Sequence, residues 1–137
     1  MNIMQKALLG VIAAAGTLDV QAGALVAAKD SPFAAMDAEE AKKMFLGREA
    51  SIGGQGVTVV YQKEGETRTT FETKILGKTG ADLTAYWSKL IFTGRAQAPV
   101  EVSGDGDVKT KVNSTPGAVG YVNDSAVDGS IKVLFKY

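Results

Sequence analysis

Short runs of apolar and β-branched residues alternate with amphipathic segments along most of the chain. The apolar runs have the length and composition of β-strands, and turn-forming residues border them. Five segments show this strand pattern: residues 24–28, 57–61, 100–102, 118–122 and 131–137. In the last of them Ile131, Val133, Phe135 and Tyr137 recur at every second position, which predicts a terminal strand with one buried face. Residues 51–56 are rich in glycine and predict a loop.

The segments between these strands carry helix signals. Residues 38–46 begin after Asp37, a favoured N-cap residue, and end before Gly47, a favoured residue at a helix C-terminus. The acidic residues of this segment come first and its lysines last, an order that complements the helix dipole. A second helix is predicted to begin with Thr67 as its N-cap and to end at Gly77.

A third helix is predicted over residues 81–93. Its large apolar residues recur three or four positions apart and predict its buried face: Leu83, Tyr86, Trp87, Leu90 and Ile91. We also expect Phe92 to pack in the core. The segment 103–107 is interpreted as a solvated turn, with Asp107 capping a short fourth helix. Strands separated by helices indicate one α/β or α+β domain, with a small mixed sheet flanked by helices.

Composition and charge narrow the range of functions. The chain has 137 residues, with 15 Lys and Arg against 15 Asp and Glu, so no overall field attracts nucleic acid or an anionic membrane. It contains no Cys and no His, which excludes thiolate and imidazole catalysis and the usual zinc sites. The paired acidic residues fall at helix starts and turns, where solvation explains them. We therefore expect a non-enzymatic protein without catalytic residues, metal ligands or cofactors.

The first 22 residues have the pattern of a signal peptide. Lys6 precedes an apolar run at residues 7–18, and Val20 and Ala22 supply the small residues expected before a cleavage site. The apolar run is shorter than the roughly 20 residues that a membrane-spanning helix needs. We predict export, cleavage after Ala22, and a periplasmic or secreted protein. The mature chain is then a single domain, residues 23–137, without a membrane span.

One loop, with the sequence YQKEGETRTTF, carries the best candidate for binding chemistry. It leads from a predicted strand into a predicted helix start, where free N–H groups attract anions. Arg68 can add a two-pronged hydrogen bond to phosphate, sulfate or a carboxylate. The alternative is structural: Thr67 only caps the helix, and Arg68 pairs with a neighbouring glutamate. The candidate partners are Glu64, Glu66 and Glu72.

Four stretches, taken in order, resemble a known protein family: residues 37–49, 67–79, 85–95 and 114–122. They show a helix ending in Phe-x-Gly, an Arg-x-x-Phe helix start, an aromatic helix ending in Thr-Gly, and a Thr-Pro-Gly-Ala-Val-Gly-Tyr-Val turn and strand. Together they resemble the phosphate substrate-binding proteins of ABC transporters, which have the type II periplasmic-binding-protein fold. The chain is long enough for one of that family's two lobes, and so resembles its short, single-lobe relatives.

The resemblance implies that the chain binds phosphate or a similar oxyanion. Arg68 would be the charge partner, Thr67 and the N–H groups of the following turn would cradle the ligand, and Ser31 would add a hydroxyl. An ABC transporter or another envelope protein would be the partner. Two departures predict that binding is weak. Gly65 and Glu66 replace the family's Ser-Gly before Thr-Arg, and the second lobe is missing.

The same departures favour an alternative function. In this alternative the single lobe has lost ligand binding and serves as an assembly or adaptor module in the envelope. The alternating strand that ends in Tyr137 would then pair along its edge with another chain, including a second copy of itself.

Overall fold

The structure is a computed structural model that describes residues 21–137. The predicted signal peptide, residues 1–22, lies almost entirely outside these residues, so its cleavage stays a prediction. Within the described part of the chain, no helix has the length and apolar character that crossing a membrane requires.

Seven strands and four α-helices follow one another along the described chain. The strands are β1 (Gly23–Ala28), β2 (Ser51–Ile52), β3 (Gln55–Gly56), β4 (Thr58–Gln62), β5 (Val100–Val102), β6 (Ala118–Asn123) and β7 (Ile131–Lys136). The helices are α1 (Ala38–Phe45), α2 (Glu66–Phe71), α3 (Gly80–Phe92) and α4 (Asp105–Ser114). A π-helical segment, Glu72–Leu76, continues α2, and a 3₁₀ turn, Asp124–Ala126, follows β6.

Five of the strands form one mixed sheet in the order β5-β4-β6-β1-β7. The strand β4 runs parallel to β5 and β6, whereas β1 runs antiparallel to β6 and β7. The chain leaves β4 through α2 and α3 to reach β5, and leaves β5 through α4 to reach β6. The predicted α/β class, with a small mixed sheet flanked by helices, is confirmed.

Both faces of the sheet are buried. On one face, α1, α2 and α3 cover an aromatic cluster in which Phe71 stacks on Tyr121 with ring centroids 4.1 Å apart. On the other face, α4 packs Val108 and Val112 against the sheet. Burying apolar side chains on both sides of the central strands is the main stabilising term of such a layered fold.

The predicted start and end of α1 are confirmed. The Asp37 side chain accepts a hydrogen bond from the Glu40 N–H at 2.9 Å, and Gly47 follows the helix at φ 71°. The predicted loop at residues 51–56 instead forms a two-stranded hairpin, β2 and β3. Gly53 and Gly54 make its turn at φ 57° and 86°. Two central residues with positive φ are what a tight hairpin turn requires, and glycine adopts them without strain.

Two predicted helix caps are wrong. Helix α2 begins at Glu66, and its N-cap is Gly65 at φ 113°, so Thr67 lies inside the first turn. Helix α4 begins at Asp105 after Gly104, so Asp107 lies inside it as well. In both helices the backbone enters through a glycine, and neither N-cap residue offers a side chain to the first turn.

The predicted burial of α3 is correct at Leu83 and Trp87 and wrong at its end. Phe92 is 91% exposed and Ile91 is 42% exposed. Phe92 is nine positions after Leu83, which places it about 180° around the helix axis and away from the sheet. The prediction that Phe92 packs in the core is therefore wrong.

The terminal strand β7 also differs from the prediction. Its pairing with β1 shifts register next to Leu134, which is an extra residue on the β7 side. Such a bulge turns the following side chains to the other face of the sheet. Ile131 and Val133 therefore contact the α4 side, whereas Phe135 and Tyr137 contact the aromatic cluster.

The outer edge of β7 is partly covered by the segment that links β1 to α1. The Met36 N–H donates to the Leu134 carbonyl at 2.9 Å, and the Lys132 ammonium donates to the carbonyls of Ser31 and Phe33. An edge strand needs free backbone groups to pair with another chain. Self-association through β7 therefore has less free edge than the sequence predicts.

Candidate functional site

The loop that the sequence singles out lies at the carboxyl end of β4. Lys63, Glu64 and Gly65 connect the strand to α2, and all three are exposed. The φ angle of 113° at Gly65 lies in a region that side-chain-bearing residues rarely adopt, so a glycine suits this turn. The first helical hydrogen bond joins the Thr69 N–H to the Gly65 carbonyl at 3.1 Å.

The end of β4, residues 63–65 and the start of α2 form a strand–loop–helix corner. Thr67 contributes less to this corner than predicted. It occupies the second helical position and is half-buried. Its hydroxyl has no hydrogen-bond partner among residues 21–137, so it does not cap the helix. The α-helical part of α2 is only six residues long before the π-helical segment begins.

Arg68 is the centre of the corner's polar contacts. Its Nε atom donates to Glu72 Oε2 at 2.6 Å, which is the predicted spacing of four residues along a helix. Its Nη1 atom donates to the carbonyls of Gln62 and Lys63, both at 3.0 Å, and to Glu101 Oε2 at 3.2 Å. The sequence therefore named one of the two acidic partners correctly and missed the other.

The guanidinium of Arg68 is held firmly but is not saturated. It lies over the Tyr61 ring, 5.4 Å from its centroid, and its side chain is 17% exposed. Burial alone lowers the pKa of Arg68, but the hydrogen bonds to Glu72 and Glu101 outweigh burial and raise it, so the group stays charged. An arginine carries five N–H donors. The two on Nη2 have no acceptor within the described part of the chain.

A cavity of about 230 Å³ opens beside this arginine. Arg68 and Glu101 form part of its wall, and Thr84 and Ser88 of α3 add two exposed hydroxyl-bearing side chains. The rest of the lining is aromatic or apolar: Tyr61, Leu83, Trp87, Ile91, Ala98 and Pro99. A small anion fits a space of this size, and a guanidinium with hydroxyls is a typical oxyanion-binding set.

Ser31 lies at the opposite end of the sheet. Because β1 runs antiparallel to β6, and β6 runs parallel to β4, the residues after β1 lie beside the start of β4. Arg68 follows the other end of that strand, which is five residues, or about 13 Å, long. The Ser31 hydroxyl accepts from the Phe33 N–H at 3.1 Å. The structure therefore brings Thr67 and Arg68 together but does not bring Ser31 to them.

Asp105 is a further polar residue near this loop, and the predicted solvated turn at residues 103–107 is wrong for it. Asp105 begins α4, and its Oδ1 atom accepts from the Gln62 side chain at 2.7 Å and from the Asn123 N–H at 3.2 Å. Gln62 is only 4% exposed, and its Nε2 atom also donates to the Tyr121 carbonyl. These bonds join the carboxyl ends of β4 and β6 to the start of α4. They thereby hold in place the strand end from which the loop to α2 departs.

The acidic side chains that contact Arg68 are paired with it. Glu101, in the cavity wall, and Glu72 both form an ion pair with Arg68. Within residues 21–137, no group of three or more His, Cys, Asp and Glu side chains is arranged to hold a metal ion.

Three solved structures share this fold. They are an ABC-type phosphate transport receptor from Vibrio cholerae (23% identity, TM-score 0.63), a protein assigned as a phosphate ABC transporter substrate-binding protein from Clostridium perfringens, solved with bound phosphate (21%, 0.64), and PstS from Borrelia burgdorferi (12%, 0.63). Each match covers 83% of this chain but only 45%, 44% and 46% of the respective neighbour, so the chain spans less than half the length of the structures it matches. No protein-family model matches the sequence, and no curated protein matches it.

The likeness confirms the predicted fold. The chain has the architecture of part of a phosphate substrate-binding protein, and the matched share of each neighbour is close to that of one lobe out of two. At these identities the likeness concerns the fold alone, and function has to be argued from the site itself.

Proposed function

We propose that the chain is an exported, non-enzymatic binding domain that binds phosphate or a similar small oxyanion weakly beside Arg68. The proposal is supported by the fold, which is shared with phosphate substrate-binding proteins, one of them solved with bound phosphate. The observation that carries it is the free Nη2 edge of Arg68 in a corner with an open cavity. Ser31 has no place in this proposal, because it lies at the other end of the sheet.

The local charge explains why binding is expected to be weak. Arg68 carries one positive charge, whereas Glu72 and Glu101 together carry two negative charges within hydrogen-bond distance of it. A dianion that approaches Nη2 therefore meets three side chains with a combined charge of about −1. At an effective dielectric constant near 20, a unit charge about 6 Å away contributes roughly 3 kcal/mol for each charge of the ligand. Repulsion by the two carboxylates therefore offsets the attraction by the single guanidinium.

Export and a partner complete the proposal. The signal peptide predicted at residues 1–22 supports a mature domain, residues 23–137, in the periplasm or outside the cell. The partner in this proposal is an ABC transporter component or another envelope protein, which is supported by the fold shared with phosphate transport receptors.

A second function is favoured by one observation, the pairing of Arg68 with two carboxylates. An arginine whose charge is already neutralised is typical of a structural clamp. In this alternative the domain has lost ligand binding and serves as an assembly or adaptor module of the envelope.

Calorimetric titration of the purified protein with phosphate and with sulfate separates the two functions. We expect a weak, saturable heat for the wild type that disappears in Arg68→Lys, which keeps the charge but loses the planar pair of donors. Arg95→Ala is the matched control, because Arg95 is exposed and lies in the loop after α3. Circular dichroism of each variant checks that it is folded. If the wild type gives no heat and no thermal shift at millimolar anion, the binding function is wrong and the adaptor function stands.

Export is tested separately. Mass spectrometry of the protein recovered from the cell envelope or the medium should give a chain that begins at Gly23. A protein that retains Met1 would contradict the predicted signal peptide.

A further inference from the structure

The two carboxylates that contact Arg68 differ in exposure and in attachment. The Glu72 side chain is 7% exposed, and its second oxygen, Oε1, lies 3.4 Å from the Gly80 N–H, so it is fixed from two sides. The Glu101 side chain is 48% exposed and contacts Arg68 through a single oxygen. Exposed ion pairs are weak and readily exchange their partners with solvent, whereas buried ones do not. Glu72 is therefore a fixed anchor, and Glu101 is the exchangeable partner.

The hydrogen bonds of Arg68 Nη1 lead to the same distinction. This nitrogen carries two hydrogens, but three acceptors lie around it. Two of them are the backbone carbonyls of Gln62 and Lys63, each at 3.0 Å, and the third is Glu101 at 3.2 Å. The carbonyls are fixed by the end of β4, so the longest of the three contacts, the one to Glu101, is the one that can be given up.

The position of Glu101 relative to the cavity gives this exchange a functional meaning. Glu101 lies on the edge strand β5, level with Tyr61 of β4. Both residues and Arg68 line the cavity of about 230 Å³. A carboxylate at this position presents to the guanidinium the same kind of charged oxygens that a small oxyanion presents.

We propose that Glu101 is an internal competitor for the oxyanion site: its carboxylate occupies part of the Arg68 guanidinium, and an incoming anion displaces it toward solvent. Glu101 thereby sets both the affinity of the site and its charge preference. This inference rests on the proposed anion-binding function. No bond is made or broken in the exchange, and one charged hydrogen-bond acceptor replaces another.

The charge preference follows from what remains after displacement. Glu101 stays tethered nearby and repels a dianion about twice as strongly as a monoanion, because the Coulomb energy is proportional to the ligand charge. Removing its charge should therefore increase the affinity for sulfate, a dianion, more than the affinity for nitrate, a monoanion. An exposed ion pair typically holds its partners by a factor of about 1.4 to 5, which sets the expected gain in sulfate affinity.

The test is a titration of the wild type and of Glu101→Gln with sodium sulfate, sodium phosphate and sodium nitrate at constant ionic strength. Glu39→Gln is the matched control, since Glu39 is an exposed glutamate of α1 that neither lines the cavity nor has a hydrogen bond to Arg68. We expect Glu101→Gln to bind sulfate about two- to fivefold more tightly and nitrate less than about twofold more tightly. The control should change sulfate affinity by less than about twofold.

The outcomes separate this inference from the function on which it rests. If neither the wild type nor Glu101→Gln binds any of the anions, the proposed binding function is wrong, and the competitor role falls with it. If the wild type binds and Glu101→Gln binds no more tightly than Glu39→Gln, only the competitor role is wrong. A gain that is equal for sulfate and nitrate would also overturn it. Because Glu101 is half-exposed on an edge strand, the variant should remain folded, which a thermal melt verifies.

Discussion

Replacing Glu72 by alanine should destabilise the domain far more than the same change at Glu101. Glu72 forms the shorter of the two charged contacts to Arg68, 2.6 Å against 3.2 Å, and it is the more buried carboxylate. A hydrogen bond to a charged group contributes about 1.5–3 kcal/mol, and breaking a fully buried ion pair costs about 3–5 kcal/mol. The Arg68 side chain is 17% exposed and still contacts Glu101 in the variant, so the pair is not fully buried. The loss should therefore lie at or below the lower end of the range for buried pairs. We expect a loss of about 2–3 kcal/mol in the free energy of unfolding.

The matched change, Glu101→Ala, should cost about 0–1 kcal/mol, because its carboxylate is 48% exposed and solvent replaces it on the guanidinium. Salt provides a second distinction between the two sites. Raising the ionic strength from about 0.05 to 0.5 M should remove most of the effect at Glu101 and little of the effect at Glu72, since buried pairs are screened less.

Equilibrium unfolding in urea near pH 7, followed by circular dichroism, measures both losses on one scale. The denaturant slopes of the two variants and the wild type must agree, so that a change in midpoint reports a change in stability. A loss below about 0.5 kcal/mol for Glu72→Ala would refute the assignment of Glu72 as the fixed anchor. Equal losses for the two variants would refute the distinction between anchor and exchangeable partner.

Two further predictions concern Tyr121 in β6 and Glu40 in α1. Tyr121→Phe removes the hydroxyl that accepts a hydrogen bond from the buried Gln62 backbone N–H at 2.9 Å. It should lower the free energy of unfolding by about 1–3 kcal/mol in the same urea assay. An unchanged urea midpoint would contradict this. The pKa of Glu40 is raised, first by burial of its carboxyl and then by the neighbouring Glu49. A raised pKa means that the folded state favours the protonated carboxyl. Its contribution to stability is therefore fully present below the unfolded-state pKa of about 4.3 and is lost as the pH rises through the folded-state pKa. Glu49→Gln removes the repulsion, so calorimetry should show a higher Tm near pH 7 and little change near pH 4; an unchanged Tm near pH 7 would contradict this coupling.

Local signals were sufficient for most of the fold. The helix α1 could be predicted because its cap, Asp37, and its end at Gly47 lie within a few residues of the segment that they delimit. The start of α2 was misplaced because Gly65 offers no side-chain signal, while Thr67 offers a strong one that the structure does not use. The bulge at Leu134 depends on how β7 meets β1, a strand that lies more than a hundred positions earlier in the chain. No local pattern reports such a contact.

The candidate site divides in the same way. The pair Arg68–Glu72 was among the predicted alternatives, because residues four apart on a helix are neighbours in any fold. Glu101 was not, because it reaches Arg68 only when β5 pairs beside β4 in one register, with Tyr61 opposite Glu101. The valines on either side of Glu101 pack toward α4, which turns the glutamate to the face that Arg68 occupies.

The register between β4 and β5 determines which side chain faces Arg68, and therefore the charge around its guanidinium. If β5 were displaced by one residue along β4, the side-chain alternation would turn Glu101 to the α4 face and a valine toward the guanidinium. Arg68 would then keep only Glu72, and the charges of these two paired side chains would balance. Strong and weak anion sites can therefore share one loop motif, with the difference set by a residue 33 positions away. For the proposed site, the loop predicts where an oxyanion would bind, and the register of an edge strand would set how tightly.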